Sequence, residues 1–392
     1  MIRLLTVIGA RPQIIKAAAI SRAVKERFQG EIEERILHTG QHYDDNMSEV
    51  FFRELGIPSP DYNLHVGSGS HGVQTARIIE GIEKVLLEEP YDGIIVYGDT
   101  NSTLAAAVAA GKLHVPIFHV EAGLRSYNMA MPEEQNRIVC DALSSILFAP
   151  TETAVRNLEN EGVAPRPPKG GEEAPRPPKG GGNERRFANG KTQKVVLSGD
   201  VMYDNSMYFS TMADEQSDII ERLGLSHRGF VLATIHRPAN TDNPENLRSI
   251  FRALADIAAT GVEVIFPCHP RTRKKMADYG LQMDDYGIRI IEPASFFEII
   301  RLEKNARVVM TDSGGVQKEA FFYGTPCVIL RPETEWVEIV EAGAGILADA
   351  DYDRIIAAYR QLSSREVHFP PLFGDGHASE KILNEIQEYL DL

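Results

Sequence analysis

The sequence predicts an α/β protein built from two doubly wound parallel-sheet halves. Short β-branched runs alternate with helical stretches along the whole chain, as βαβ units require. The length, 392 residues, provides for two sizeable cores. Hydrophobic residues at 43% and charged residues at 25% are ordinary globular values, which excludes wholesale disorder, a fibrous repeat and a disulfide scaffold.

Strands are expected in the first half at residues 4–8, 35–39, 93–97, 116–120 and 145–149, and in the second at 194–197, 230–235, 262–266, 288–291, 307–310 and 327–330. Between them lie amphipathic helices; Ile78, Ile79, Ile82, Val85 and Leu86, for example, fall on one face of a 3.6-residue period. One stretch breaks the rhythm. Residues 164–173 read APRPPKGGEE and 174–183 read APRPPKGGGN, a tandem Pro/Gly-rich repeat with too little apolar surface to order itself. It reads as a tolerated surface insertion or as a docking arm for a partner that binds basic, Pro-rich ligands. The expected domains are therefore 1–163, an insertion and linker at 164–193, and 194–371, followed by a closing segment at 372–392.

Lys plus Arg at 41 against Asp plus Glu at 56 gives a net charge of −15, which disfavours nucleic acid and anionic membrane as partners. A small anionic ligand must be met by a local cluster of cations or amides. The insertion region 164–191 holds seven Lys or Arg against three Glu, a net of +4, so the remainder carries −19. No apolar stretch approaches the roughly 20 residues a bilayer span needs. Cys140, Cys268 and Cys327 are odd in number, with no C-x-x-C pair, and the histidines lack ligand spacing. The expectation is a soluble cytoplasmic protein without metal or cofactor.

The chemistry-bearing motifs follow strand ends, where open α/β sheets bind ligands. Gly9-Ala10-Arg11-Pro12-Gln13-Ile14-Ile15-Lys16 is a strand-turn-helix in which Arg11 and Lys16 either clamp a diphosphate or stand as surface charges. Neither a dinucleotide fingerprint nor a P-loop is present. Asp99, in Gly98-Asp99-Thr100-Asn101-Ser102, is either a site carboxylate or the cap of the helix that follows. His119 and Glu121 share a strand face in His119-Val120-Glu121-Ala122-Gly123-Leu124-Arg125, and Glu121 falls where the strand gives way to a loop. Glu133, in Pro132-Glu133-Glu134-Gln135-Asn136-Arg137, stands at a helix start and is four residues from Arg137, the spacing of an intrahelical ion pair. In the second half, Thr234-Ile235-His236-Arg237 and Pro267-Cys268-His269-Pro270-Arg271 end two strands. Ser313, Gly314 and Gly315 open a helix with small residues, suited to holding a phosphate or to making a tight turn, and Glu319 one turn on suits a ribose diol.

Together GARPQIIK, YGDTNST, HVEAGLR, MPEEQNR, TIHR, TDSGGVQKE and FGDGHASEKI resemble, in order and spacing, the non-hydrolysing UDP-N-acetylglucosamine 2-epimerases. The resemblance implies a GT-B fold, two Rossmann-like domains with a UDP-sugar in an interdomain cleft, and a C-terminal helix crossing back to the first domain. It implies inversion at C2 by elimination and re-addition of UDP, in the synthesis of surface polysaccharide precursors, and a homodimer. Carried over, Asp99, Glu121 and Glu133 are acid/base carboxylates and His236 contacts the diphosphate or assists its departure. Arg11 and Lys16 line the first-domain side, Ser313, Gly314 and Gly315 bind phosphate, and Glu319 binds ribose.

Departures accompany the match. Ala239 stands where the family commonly has Glu, and Trp336 where many members have Arg. The segment Pro293-Ala294-Ser295-Phe296-Phe297-Glu298-Ile299 lacks the Gln expected on the uracil side, and Gln41-His42-Tyr43-Asp44-Asp45-Asn46-Met47 replaces the motif of substrate-activated members. These features resemble the branch acting on UDP-2,3-diacetamido-2,3-dideoxyglucuronate, whose sugar carboxylate would require another cation, Arg125 or Arg271. A GT-B glycosyltransferase would share the nucleotide-binding half but has no use for three gathered carboxylates. A UDP-sugar-binding scaffold acting through the Pro-rich arm is the non-enzymatic alternative.

Overall fold

Two all-parallel sheets organise the computed structural model, which describes residues 1–41, 57–163, 187–281 and 286–391. The chain divides into two units, residues 1–205 with 372–392, and residues 206–371. The Pro-rich repeat and the segment 42–47 lie outside the described residues.

The first unit holds β1 (Ile2–Ile8), β2 (Ile32–His38), β3 (Tyr62–Asn63), β4 (Gly93–Tyr97), β5 (Ile117–Val120), β6 (Ile146–Ala149) and β7 (Lys194–Leu197), in the order β3-β2-β1-β4-β5-β6-β7. β4 and β6 read as unbroken apolar runs because both faces are covered: all five residues of β4 and all four of β6 are buried, as are all four of β5, which includes His119. Helices α1 (Arg11–Arg27), α2 (His71–Glu88), α3 (Asn101–Lys112), α4 (Pro132–Leu143) and α5 (Glu152–Asn160) make the crossovers. α6 (Val201–Gln216) contains the division between the units.

The second unit contains β8 (Phe230–Thr234), β9 (Glu263–Pro267), β10 (Arg289–Ile291), β11 (Val308–Thr311), β12 (Cys327–Ile329) and β13 (Gly345–Leu347), ordered β10-β9-β8-β11-β12-β13. Its helices are α7 (Ile219–Leu223), α8 (Pro238–Thr241), α9 (Pro244–Ala259), α10 (Pro270–Asp278), α11 (Phe296–Asn305), α12 (Gly314–Phe322), α13 (Val337–Glu341) and α14 (Tyr352–Ser363). One core sits on either face of this sheet, one around Val231, Phe251, Val264 and Leu254, the other around Phe230, Leu232, Ile265 and Leu302.

Strand order departs from the expected boundary at 194. β7 pairs with β6 in parallel, in a register that runs from Ile146↔Lys194 to Ala149↔Leu197, so residues 194–205 complete the first unit. A buried apolar run announces a strand but not which sheet receives it. The last helix, α15 (Ala378–Asp391), belongs to the first unit, where it packs on α1. Asp204 holds its start, accepting from the Ala378 and Ser379 amides at 3.0 and 2.8 Å.

Each sheet reverses its order once, between β1 and β4 and between β8 and β11. Such switch points open a crevice at the carboxyl ends of the flanking strands. GARPQ and GDT follow β1 and β4; IHR and DSGG follow β8 and β11.

Candidate active site

At the first switch point one side chain ties the two strand ends together. Gln13 Oε1 accepts the Gly9 and Ala10 amides at 2.9 and 3.2 Å, and its Nε2 donates to the Tyr97 carbonyl and to Thr103 Oγ1, both at 2.9 Å. Those amides are therefore taken, and this turn does not offer them to a diphosphate. Arg11 is exposed at the first residue of α1. Lys16 is buried; its Nζ donates to Glu121 Oε1 at 2.5 Å, with the two side chains 11% and 9% exposed.

Glu121 takes φ of +70°, a left-handed conformation that costs a non-glycine residue on the order of 1–3 kcal/mol and that clusters at functional sites. Gly98, also left-handed, brings its backbone beside this pair: a Cβ there would lie 3.3 Å from Lys16 Nζ and 3.5 Å from Glu121 Oε1. Asp99 follows directly. It is not the cap of α3, because Thr100 Oγ1 accepts the Thr103 amide. Its carboxylate instead takes a hydrogen bond from Arg137 Nη2, and its side chain is 26% exposed. Burial pushes the Asp99 carboxyl up, with Glu121 adding to the rise and Arg137 and Lys16 opposing it.

Arg137 is one residue that strand-end motifs did not single out. The expected partner, Glu133, is exposed at the start of α4. Arg137 pairs instead with Glu134, three residues back, at 2.8 Å. Glu134 is 1% exposed and also accepts the Ser126 and Tyr127 amides at 3.0 and 2.9 Å. A second omission is the buried set behind the site. His119 Nδ1 lies 2.7 Å from Asp141 Oδ1 and its Nε2 lies 2.8 Å from the Gly98 carbonyl. Asp141 Oδ2 accepts Arg125 Nη2 at 2.8 Å and the Gly123 amide at 3.2 Å. Arg125, read as a cation for a sugar carboxylate, is fully engaged: it holds Glu161 at 2.6 and 2.7 Å as well, and its side chain is 1% exposed.

In the second unit Asp312, fully buried, organises the turn after β8, accepting the His236 amide at 3.1 Å, the Arg237 amide at 3.0 Å and Asn240 Nδ2 at 3.1 Å. His236 Nδ1 stands 3.5 Å from Asp312 Oδ1, and its side chain is half exposed. Burial lowers its pKa, opposed by Asp312 and aided by Arg237 and His269. Ser313 caps α12 through the Val316 amide, leaving the Gly314 and Gly315 amides at the first turn. A carboxylate already approaches: a Cβ on Gly314 would lie 2.1 Å from Glu335 Oε1, and Glu335 pairs with Arg331 at 2.8 Å. Glu319, one turn on, is partly buried; burial raises the pKa of the fully buried Glu303, and Glu319 adds to the rise. Arg271, the other candidate for a sugar carboxylate, is bound to both Asp242 oxygens at 2.9 and 3.1 Å on the surface. Trp336, in the place of the family's Arg, is buried with the Lys318 ammonium 4.1 Å over its ring. Among the described residues no group of three or more His, Cys, Asp or Glu is placed to hold a metal ion.

Two Rossmann-like units, each with its polar groups at the switch point, are the GT-B class of nucleotide-sugar proteins. Residues 24–387 match the family model described as UDP-N-acetylglucosamine 2-epimerase, and the chain belongs to that family, an isomerase family. It is 47% identical over 382 residues to the UDP-2,3-diacetamido-2,3-dideoxy-D-glucuronate 2-epimerase of Pseudomonas aeruginosa, covering 97% of this chain and 98% of the relative. It is 38% identical over 387 residues to the UDP-N-acetylglucosamine 2-epimerase of Methanocaldococcus jannaschii, covering 97% and 98%. The crystal structure of a Methanocaldococcus jannaschii UDP-GlcNAc 2-epimerase with UDP-GlcNAc and UDP is similar at a TM-score of 0.80 and 37% identity, covering 99% of this chain and all of that one.

Proposed function

We propose that the protein interconverts a UDP-N-acetylhexosamine and its C2 epimer, UDP-GlcNAc and UDP-ManNAc, by eliminating and re-adding UDP. The observation that carries the reading is the pair of cation-matched carboxylates at the first switch point, Glu121 with Lys16 and Asp99 with Arg137. In the forward half-reaction a carboxylate takes the C2 proton, the C1–O bond breaks and UDP departs, leaving a 2-acetamidoglucal. In the return, a proton reaches the opposite face of C2 while the phosphate oxygen re-forms the bond to C1. Two groups on different loops are the minimum for deprotonating one face and protonating the other. Asp99 and Glu121 fill those roles, with Glu133 as a third carboxylate at the start of α4. His236 and the Ser313–Gly315 turn would take the diphosphate, Glu319 the ribose, and Arg11 the first-unit side of the substrate.

The 47% identity to a diacetamido-uronate epimerase favours a second reading with the same chemistry on the uronate analogue. That substrate asks for a cation other than Arg125, whose donors are spent. Incubation in deuterated water with each UDP-sugar tests both. Deuterium at C2 together with the epimer is the expected result for one of them, and neither product from either sugar removes the epimerase reading. Supply of an activated mannosamine-type sugar to surface polysaccharide, a cytoplasmic location and a homodimer complete the proposal. The three buried free cysteines accord with a reducing compartment, and sedimentation reads the assembly.

A further inference from the structure

His119 and Asp141 form no part of the chemistry just described, yet they touch the backbone of both acid-bearing loops. His119 is fully buried on β5, and each of its ring nitrogens faces a group that can only accept, the Asp141 carboxylate and the Gly98 carbonyl. Both nitrogens must therefore carry protons, which makes the ring an imidazolium. The charge is balanced locally. Asp141 lies against His119 and Arg125, and Arg125 against Glu161, two cations and two anions in an unbroken row. Burial opposes the charge on His119, but the Asp141 carboxylate and the neighbouring Cys140 outweigh it and hold the ring's pKa well above its ordinary value.

The row fixes two loops at once. Through His119 it holds the carbonyl of Gly98, the residue before Asp99. Through Asp141 Oδ2 it holds the amide of Gly123, two residues after the left-handed Glu121. Gly123 itself sits so close to α5 that a Cβ would lie 2.5 Å from the Ala154 carbonyl. We propose that His119 and Asp141 are positioning residues, a permanently charged imidazolium–carboxylate frame that keeps Asp99 and Glu121 at a fixed separation. This rests on the epimerase reading for its consequence, though not for its geometry. A base and an acid that serve opposite faces of one carbon must keep their spacing through both half-reactions, and a displacement of about 1 Å costs on the order of 100-fold in rate. A frame buried away from solvent would do so without competing for the substrate's proton.

Two measurements test it on the full chain. In 15N-histidine-labelled protein, the signals lost in His119→Gln identify the ring; both nitrogens are expected to be protonated at pH 7 to 8, and a singly protonated tautomer there overturns the frame. This readout needs no activity, so a wild-type chain that fails to epimerise removes the function while leaving the frame to be judged by the spectrum. In the active enzyme, Asp141→Asn is expected to lower kcat about 10- to 100-fold, with KM and UDP affinity within about twofold. Glu161→Gln, which loosens the outer end of the same row, should lower thermal stability and keep kcat. Unchanged kcat in Asp141→Asn, or an equal loss in Glu161→Gln, overturns the positioning role. Should Asp141→Asn not fold, His119→Gln carries the same kinetic test.

Discussion

Replacing Arg137 with Met removes the cation that opposes the rise of the Asp99 carboxyl. Arg137 is 10% exposed and Asp99 26% exposed, so the pair is neither in bulk water nor in a dry interior. At hydrogen-bond contact of about 3 Å, Coulomb attraction is roughly 1.4 kcal/mol at a dielectric of about 80 and roughly 5 kcal/mol at about 20. The pair lies between these limits, so losing Arg137 raises the Asp99 carboxyl further. Burial already raises Asp99, so in the variant the folded state binds this proton still more tightly than the unfolded chain does. The resulting loss of stability is absent below the unfolded carboxyl value of about 4, grows as pH rises through the raised folded value, and is complete above it. Glu134 keeps its Ser126 and Tyr127 donors, so its own carboxylate remains held. The acid limb of the kcat/KM profile, followed by deuterium exchange at C2 from pH 5 to 9, should move to higher pH in Arg137→Met and by much less in Arg137→Lys. A folded Arg137→Met enzyme whose acid limb coincides with that of the wild type would refute the pairing as the control on Asp99.

Gln13→Leu strands the buried Gly9 and Ala10 amides and the Tyr97 carbonyl, so denaturant unfolding should report a loss of about 2–4 kcal/mol, and a loss below about 1 would show the tie to be dispensable. Gly123→Ala meets both a φ of +79° and the Ala154 carbonyl, so it should destabilise by more than about 3 kcal/mol; a thermal midpoint equal to that of the wild type would contradict the close approach. Arg125→Lys should lower stability by about 2–3 kcal/mol while KM for either UDP-sugar stays within about twofold, and a selective rise in KM for the uronate would restore Arg125 to the sugar.

Burial on both faces is why the strands were legible: Gly93–Tyr97 and Ile146–Ala149 are continuous apolar runs with no alternation to confuse. Tyr62–Asn63 and Gly345–Leu347 are too short to carry a pattern, and the sheet that takes Lys194–Leu197 is a tertiary choice. The acids at strand ends were legible because a carboxylate there has no structural excuse in a core. Their partners were not. Four-residue spacing pointed Arg137 at Glu133, but the first turn of α4 turns Glu134 inward under the Ser126–Tyr127 loop, and Arg137 follows it toward Asp99. Arg125 and Arg271 looked alike in sequence, whereas one is locked in the interior and the other is paired on the surface. Spacing along an element gives the face a residue occupies; only the fold decides whether that face meets a void, a carboxylate or water.

The net charge of −15 acquires a different meaning once the pairs are known. Each acid proposed for proton transfer from the first switch point comes with a cation of its own, Lys16 for Glu121 and Arg137 for Asp99. Neither cation is spare for the diphosphate, which on the proposed reading turns to the Gly314 and Gly315 amides and His236, although Glu335 and Asp312 already stand beside them. The proposal thereby gives proton transfer and nucleotide binding to separate charge sets on separate units. That separation is what makes Asp99→Asn or Glu121→Gln informative: turnover should vanish in each while UDP affinity by calorimetry stays within about threefold of wild type, roughly 0.65 kcal/mol. A mutant of either acid that lost UDP binding in parallel with turnover would mean that the two charge sets are one.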